Sequence, residues 1–254
     1  MKISIITPSY NSELFIRTTL VSIHNQSHLD YEHILIDGNS SDSTVAIARE
    51  FNSIVVTEQD KGQSDAINKG LKMAVGDIIA WQNADDLYFK ETLKVVSDYF
   101  STHPEVDVVY GDYQLIDHDG KLICDVHPIS WHTWMFAHGR FCPLQPTVFW
   151  RKRVTDKIGF LNENLHYCMD VDYFCRMIKN GFVFKRIPHM LGKFRVHNQS
   201  KTQNSLNDAK VFQEHRDVLA NHFDYNLFDH IFFVLFYYRG RLGRLVKQKM
   251  FGNG

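Results

Sequence analysis

Short apolar runs alternate with amphipathic stretches through the first hundred residues of the chain. Each run has the length and residue types of a strand, and the stretches between them have helical spacing of their apolar positions. This β-α-β-α order with short connections predicts a mainly parallel sheet flanked by helices on both faces. The predicted strands are 3–7, 31–36, 53–58 and 78–81, and the predicted helices are 12–25, 42–51, 66–74 and 91–100.

Polar, turn-forming residues stand at the carboxyl end of each of these predicted strands. In parallel sheets those ends meet along one edge, and ligands bind beyond it. No G-x-G-x-x-G turn follows the first strand and no G-x-x-x-x-G-K-S/T pattern occurs, which argues against a dinucleotide-dependent dehydrogenase and a P-loop protein. A diphosphate bound here would need a metal ion and side chains. The four polar segments are Pro8-Ser9-Tyr10, Asp37-Gly38, Asp60-Lys61-Gly62 and Asp85-Asp86.

The fourth predicted strand, Ile78–Trp81, leads to two adjacent carboxylates, Asp85 and Asp86. Successive side chains of an extended chain point in opposite directions, so the two carboxylates can address different groups. One is suited to a divalent cation such as Mg²⁺ or Mn²⁺, and the other to a sugar hydroxyl. The alternative is a solvated turn that caps the next helix.

The second half of the chain is less regular. Aromatic residues crowd the segment 131–136, where they suit either stacking on a sugar ring or ordinary core packing. The predicted strands here are 106–110, 113–116, 147–150 and 182–187, and 193–196 leads to His197.

A helix is predicted from about Met169 to Asn180. Its apolar positions fall on one stripe, and Gly181 provides a natural stop. Asp172 lies four residues before Arg176, a spacing typical of a salt bridge on a helix. Asp170 lies off the stripe without such a partner in sequence, so it is either a helix cap or a functional carboxylate. The stripe consists of Val171, Phe174, Cys175 and Ile178.

Composition narrows the classes of protein. With 254 residues and 44% hydrophobic content, the chain is long enough for one large domain, or one domain plus an appendage. A net charge of −1 argues against nucleic acid as a partner bound through global charge. The four cysteines form no C-x-x-C pair and are expected to be reduced thiols. The short N-terminal apolar run is not typical of a signal peptide, so we expect a cytoplasmic protein.

The C-terminal part reads as an amphipathic helix over 205–223 followed by an aromatic run over 227–238. Five basic residues follow between 239 and 249. The run is too short to span a bilayer but fits an in-plane helix on an anionic membrane, and we expect it at the inner face of the membrane. A helix packed on the domain or in a dimer is the alternative.

Several motifs, in order and over about residues 1–200, resemble family 2 glycosyltransferases. The first group comprises 5–11 (IITPSYN), 36–44 (IDGNSSDST), 65–70 (DAINKG) and 83–86 (NADD). The second group comprises 144–149 (LQPTVF), 170–173 (DVDY) and 194–197 (FRVH).

The resemblance implies a GT-A fold, a UDP- or GDP-sugar donor, a divalent cation (Mn²⁺ or Mg²⁺) and inversion at the anomeric carbon. It implies a glycosyltransferase domain over 1–204, with a nucleotide-binding half over about 1–112 and an acceptor half over 113–204. The tail lies outside the resemblance, and its residues predict a helical C-terminal extension over 205–254.

The resemblance also assigns roles to single residues. Asp170 matches the catalytic base, with Met169 where the family usually has a Glu, and Asn83 stands where its Asp-x-Asp motif begins. Asp86 is implied as the likelier metal ligand, with Asp85 nearer the ribose and His197 approaching the metal and diphosphate. The implied nucleotide-binding residues are Thr7, Pro8, Tyr10, Asp37, Gly62, Asp65 and Asp85.

The expected activity is transfer of a sugar from a nucleotide donor to an acceptor hydroxyl, in cell-surface polysaccharide or lipid-linked glycan synthesis. Two alternatives stay open. A nucleotidyltransferase would want a basic, glycine-rich phosphate loop after the first strand, where this chain has 8–11 (PSYN). A non-catalytic sugar-nucleotide-binding protein would need the pocket but not Asp170.

Overall fold

The computed structural model describes residues 1–198, 209–225, 227–229 and 231, and in them nine strands form one sheet. The strands are β1 (Ile3–Ser9), β2 (Tyr31–Asp37), β3 (Ile54–Thr57), β4 (Ile78–Trp81), β5 (Leu87–Tyr88), β6 (Val108–Ile116), β7 (Leu122–Val126), β8 (Phe149–Arg151) and β9 (Phe184–Arg195). The helices are α1 (Ile16–His24), α2 (Thr44–Ala48), α3 (Gln63–Met73), α4 (Thr92–Thr102), α5 (Thr133–Ala137), α6 (Lys152–Ile158), α7 (Met169–Lys179) and α8 (Ala209–His222), with a 3₁₀ turn at Gln145–Thr147.

The sheet runs in the order β3-β2-β1-β4-β8-β6-β9-β5, with β7 paired to β6. β1 is parallel to β2 and β4, and β2 is parallel to β3, which confirms the parallel first half predicted from the sequence. From β1 the chain moves outward to β3 and then returns to β4 on the other side of β1. Such a reversal opens a crevice beyond the carboxyl ends of β1 and β4, where ligands of α/β sheets bind.

Buried apolar clusters cover both faces of the sheet, as predicted. All seven residues of β1 are buried, with Ile6 in one cluster and Ile3 and Ile5 in the other. On the Ile6 face α3 approaches closely, because a Cβ at Gly70 would lie 2.4 Å from Ile6 Cγ2. Only glycine allows this approach of helix to strand.

Two predicted breaks in the strands were wrong. The predicted strands 106–110 and 113–116 form the single strand β6, and 182–187 and 193–196 are joined in β9. Gly111 continues β6 and makes room for Leu191, while the register of β6 against β9 jumps from Ile187 to Met190. Pro188 lies in this bulge, where its missing N–H costs no ladder bond.

Several helices begin or end a few residues away from their predicted boundaries. α1 begins at Ile16 rather than Ser12, because the preceding residues are tied to the loop after β2. The backbone N–H of Asn11 donates to Ser40 Oγ and that of Ser12 to Thr44 Oγ1, over 2.8 and 2.7 Å. The third helix begins earlier than predicted, at Gln63.

α8 packs against α7, with Val218 and Leu219 buried in the same cluster as Phe174. The first residues of the predicted 205–223 helix and nearly all of the aromatic and basic tail lie outside the described residues. Within the described part of the chain, none of the helices has the length and apolarity that crossing a bilayer requires. All four cysteines are free thiols.

Candidate active site at the carboxyl edge of the sheet

Asp37 anchors the loop that follows β2. It is fully buried, and its carboxylate accepts hydrogen bonds from the backbone N–H and hydroxyl of Ser40 and from Ser9 Oγ, the last over 3.1 Å. These contacts join the ends of β1 and β2. The carboxylate already receives three hydrogen bonds within the protein. A contact from Asp37 to a nucleotide base stays a prediction.

The predicted nucleoside residues of β1 face different surroundings. The Thr7 hydroxyl points into the interior, 2.9 Å from Nε2 of the buried His33. Pro8 is buried as well, whereas the Tyr10 side chain is 65% exposed at the end of the strand. Of these three, only Tyr10 is exposed, and contacts from Thr7 and Pro8 to a nucleoside stay predictions.

The loop before α3 closes the same side of the site. Asp65 accepts the backbone N–H of Lys61 over 3.0 Å, and Gly62 has a φ of +121°, a conformation that favours glycine. A Cβ at Gly38 would lie 2.5 Å from Asp60 Oδ2, so this loop and the loop after β2 meet. The predicted residues Asp37, Gly62 and Asp65 therefore lie at or beside these two neighbouring loops.

The two adjacent aspartates after β4 occupy different environments. Asp86 is 1% exposed, and its oxygens accept hydrogen bonds from the backbone N–H of Arg195 and from Asn83 Nδ2, each over 3.0 Å. Burial, and then the neighbouring Asp85 carboxylate, raises the pKa of Asp86 well above its ordinary value. Asp86 thus holds the turn together from inside.

Asp85 faces outward and pairs with a residue from the far end of the fold. Its Oδ2 lies 2.9 Å from Nε2 of His197, and its side chain is 29% exposed. The His197 ring packs against Phe15, with ring centroids 4.5 Å apart. The sequence prediction that His197 returns to the acidic motif is consistent with this contact.

Asn83 is a hydrogen-bond hub rather than an outward-facing ligand. Its Oδ1 accepts from Trp81 Nε1 and Gln63 Nε2, over 2.9 and 3.1 Å. Its Nδ2 donates to Asp86 and to Gln145 Oε1, the latter over 3.2 Å. An aspartate at this position could not donate, which explains why an amide stands at the start of the acidic motif here.

Arg195 fastens the acidic turn to the turn between β6 and β7. Its Nε donates to the Asp85 carbonyl over 2.9 Å, and its Nη1 donates to the His118 carbonyl over 2.8 Å. The guanidinium also lies over the Phe15 ring, 4.9 Å from the centroid. A cavity of about 410 Å³ opens beside this junction, lined by Asp117, His118, Val196, His197 and Asn198.

Asp85 and His197 fit a divalent cation as a partial ligand set. Neighbouring ligands of an octahedral cation with bonds of about 2.1 Å lie about 3 Å apart, close to the observed 2.9 Å. No group of three or more His, Cys, Asp or Glu side chains among the described residues could hold a metal. A cation held by this pair would need further ligands from elsewhere. Both oxygens of Asp86 already accept protein hydrogen bonds, and the place of Asp86 as the likelier metal ligand stays a prediction.

Asp170 lies in the first turn of α7, where the sequence predicted it. It is half-buried, and its Oδ1 accepts the backbone N–H of Val171 over 2.8 Å. Desolvation, and then the nearby Asp170 carboxylate, raises the pKa of the Cys142 thiol. Asp170 therefore lies near the segment that leads to Gln145, which contacts Asn83.

Sequence reasoning gave no role to Gln145, Arg195, Phe15 or Ser9. Gln145 and Arg195 stand out only as parts of motifs, and their partners Asn83 and Asp86 lie 62 and 109 positions away. The unusual placement of Gln145 directly before Pro146 was the one local signal, since a proline fixes the backbone of its neighbour.

The sequence profile described as Glycosyl transferase family 2 matches residues 4–175 of the chain. The protein belongs to this family. It is 37% identical over 199 residues to a PGL/p-HBAD biosynthesis glycosyltransferase of Mycobacterium bovis, covering 74% of each chain. It is 27% identical over 229 residues to TuaG of Bacillus subtilis, named for teichuronic acid biosynthesis, covering 87% of this chain and 90% of TuaG.

Solved structures share the fold. TarS 1-349 of S. aureus in complex with UDP-GlcNAc superposes with a TM-score of 0.70 at 20% identity, over 92% of this chain and 70% of that one. A mannosyltransferase of Pyrobaculum calidifontis with GDP-Man and Mn²⁺ gives 0.66 at 17% identity, over 86% of this chain and 64% of that one. The chain spans 45% of a longer TarS chain. These matches confirm the GT-A fold expected from the sequence.

Proposed function

We propose that the protein is an inverting, metal-dependent glycosyltransferase that moves a sugar from a nucleoside diphosphate donor to an acceptor hydroxyl. The observation that carries the proposal is the Asp85–His197 pair, 2.9 Å apart at the carboxyl edge of the sheet. Its oxygen and nitrogen suit Mn²⁺ or Mg²⁺ next to a diphosphate. Membership of the family supports the transferase class.

The donor would bind across the loops of the first half, residues 1–112, and the acceptor beside 113–204. Tyr10 lies exposed over the crevice, and Asp37, Gly62 and Asp65 shape its loop wall. The similar structures named above hold UDP-GlcNAc and GDP-Man, which supports a UDP- or GDP-sugar as donor without choosing between them.

Asp170 would act as the general base. Its carboxylate takes the proton of the acceptor hydroxyl while that oxygen forms the new bond to the anomeric carbon. The bond from the anomeric carbon to the diphosphate oxygen breaks in the same displacement, so the nucleoside diphosphate leaves and the configuration inverts. A bound cation supplies charge stabilisation for the diphosphate, and Asp85 and His197 would hold it.

Calorimetric titration with UDP and GDP, each with and without Mn²⁺, tests the donor site. We expect one nucleotide to bind more tightly with Mn²⁺. The Asp170→Asn variant should keep this affinity and lose sugar transfer, with the anomeric configuration of the wild-type product read by NMR. A folded protein that binds neither nucleotide would contradict the proposal.

Two observations separate the remaining alternatives, namely the effect of Asp170→Asn and the release of pyrophosphate. A non-catalytic sugar-nucleotide-binding protein would be unaffected by Asp170→Asn in every assay. A nucleotidyltransferase would release pyrophosphate from a nucleoside triphosphate, which no step proposed here produces. The name of TuaG supports a place in cell-surface polysaccharide synthesis, and a lipid-linked glycan is the acceptor that we propose.

We further propose that the protein works in the cytoplasm at the inner face of a membrane. Trp134, Leu227 and Phe228 are exposed by 48%, 70% and 65%, and five basic residues follow in the tail. Exposed aromatics with nearby basic charge favour anionic lipid. Replacing Arg239, Arg241 and Arg244 by Gln in the full chain should reduce pelleting with phosphatidylglycerol vesicles; unchanged pelleting would contradict the proposal.

A further inference from the structure

The carboxylate of Glu214 on α8 accepts hydrogen bonds from three successive backbone N–H groups. Those of Tyr167 and Cys168 reach Oε1 over 2.7 Å each, and that of His166 reaches Oε2 over 3.1 Å. Hydrogen bonds from N–H groups to an ionised carboxylate are about twice as strong as neutral ones. The segment 166–168 leads directly into α7, so Glu214 fixes the chain where this helix begins.

α8 and α7 are joined at a second point, about two turns further along α8. His222 Nε2 lies 2.9 Å from Asp172 Oδ1, and Arg176 Nε donates to Asp172 Oδ2 over 2.9 Å. Between the two polar contacts, Val218 and Leu219 are buried in the cluster that contains α7. α8 therefore packs along α7 and fixes the chain at the amino end of α7.

Asp170 follows this clamped segment by two residues. Because Asp170 sits in the first turn of α7, the path of residues 166–168 sets where its carboxylate stands. α8 lies beyond residues 4–175, the part of the chain that matches the family profile. The contact is therefore supplied by the chain's own C-terminal helix.

We propose that Glu214 is a positioning residue, which holds residues 166–168 in the path that presents Asp170 to the acceptor hydroxyl. The inference rests on the proposed role of Asp170 as the base. It makes α8 part of the transferase unit, although the sequence assigned this region to a C-terminal extension. Displacement of a catalytic group by about 1 Å costs on the order of 100-fold in rate.

The test uses the full chain and the variants Glu214→Ala and Glu214→Gln. Asp217→Asn is the matched control. Asp217 lies on the same helix with its side chain 49% exposed, and the substitution removes the same charge. Hydrolysis of UDP-GlcNAc or GDP-mannose, whichever the wild type binds, reports the chemical step. We expect Glu214→Ala to lower kcat by about 10- to 100-fold, with KM and Mn²⁺-dependent nucleotide affinity within twofold of wild type. Glu214→Gln, which keeps one acceptor oxygen, should recover most of the loss.

Two further measurements distinguish positioning from simple loss of stability. His222→Asn breaks the other contact between the helices, and it should lower kcat less than Glu214→Ala at an equal loss of Tm. Amide hydrogen exchange over 165–171 should rise in Glu214→Ala and not in Asp217→Asn. This second readout needs no activity.

The outcomes separate the two proposals. A wild type without nucleotide binding would contradict the proposed function, while the exchange result would still decide whether the clamp exists. Unchanged exchange or an unchanged kcat in Glu214→Ala would overturn the inference. So would a parallel loss of nucleotide affinity, because Glu214 would then support the whole fold.

Discussion

The backbone N–H of Arg195, the last residue of β9, donates a hydrogen bond to Oδ1 of Asp86 over 3.0 Å. The two residues are 109 positions apart in sequence. The bond joins the last strand of the sheet to the turn after β4, and it places His197, two residues later, against Asp85. The adjacent aspartates therefore divide two tasks: Asp86 builds the turn, and Asp85 faces the crevice.

This division predicts opposite effects of the two neutral substitutions. Asp85→Asn should abolish the Mn²⁺-dependent gain in nucleotide affinity and leave stability nearly unchanged, because its side chain is partly exposed. Asp86→Asn should lower the free energy of unfolding by about 1–3 kcal/mol, since its amide would face an N–H donor in the interior. Titration and urea unfolding of both variants check this, and the reverse pattern would return the metal to Asp86.

Asn83→Asp creates the Asp-x-Asp pattern that the acidic motif at 83–86 lacks. We expect it to destabilise the protein by about 1–3 kcal/mol, because the new carboxylate cannot donate to Asp86 or Gln145 and adds charge beside the buried Asp86. We also expect no gain in Mn²⁺ affinity. Asn162→Asp, at an exposed position, is the control in urea unfolding. Tighter Mn²⁺ binding by Asn83→Asp would mean that position 83 reaches the cation after all.

Arg195→Lys should damage both stability and metal-dependent binding. An ammonium group cannot donate to the Asp85 and His118 carbonyls in the fixed geometry of a guanidinium, and it loses part of the stacking on Phe15. We expect a stability loss of about 1–3 kcal/mol and a several-fold weaker Mn²⁺-dependent nucleotide affinity. The matched control is Arg17→Lys, whose pair with Glu50 is exposed. Equal effects of the two variants would show that the junction does not support the site.

Local sequence patterns were sufficient to predict much of this fold. The alternation of apolar runs and amphipathic stretches predicted the parallel strands and placed Asp85 and Asp170 on the right elements. The Asp172–Arg176 salt bridge, predicted from spacing alone, is confirmed at 2.9 Å. Such features depend on residues within one or two turns, so the sequence contains them directly.

Long-range packing decided the remainder. The predicted strands ended at 110 and began again at 113, but in the sheet Gly111 continues β6 and makes room for Leu191 on the neighbouring strand. The contacts of Asn83 with Gln145 and of Glu214 with residues 166–168 bridge 62 and 46–48 positions. No local pattern specifies such partners, because they depend on how distant strands and helices come together.

His33 predicts an acid-sensitive stability. Burial lowers its pKa from 6.5 to about 3, while its ring nitrogens bond Ser53 and Thr7. Below pH 6.5 the unfolded chain binds a proton at this histidine that the folded protein excludes. The contribution of neutral His33 to the free energy of unfolding is therefore fully present above pH 6.5 and is lost as the pH falls towards 3. The loss from this group is at most about 1.4 kcal/mol per pH unit. Urea unfolding from pH 7.5 to 4.5 should therefore show a shallower slope in His33→Gln than in wild type. His189→Gln, at an exposed position, should keep the wild-type slope; equal slopes in all three proteins would assign the acid sensitivity to other groups.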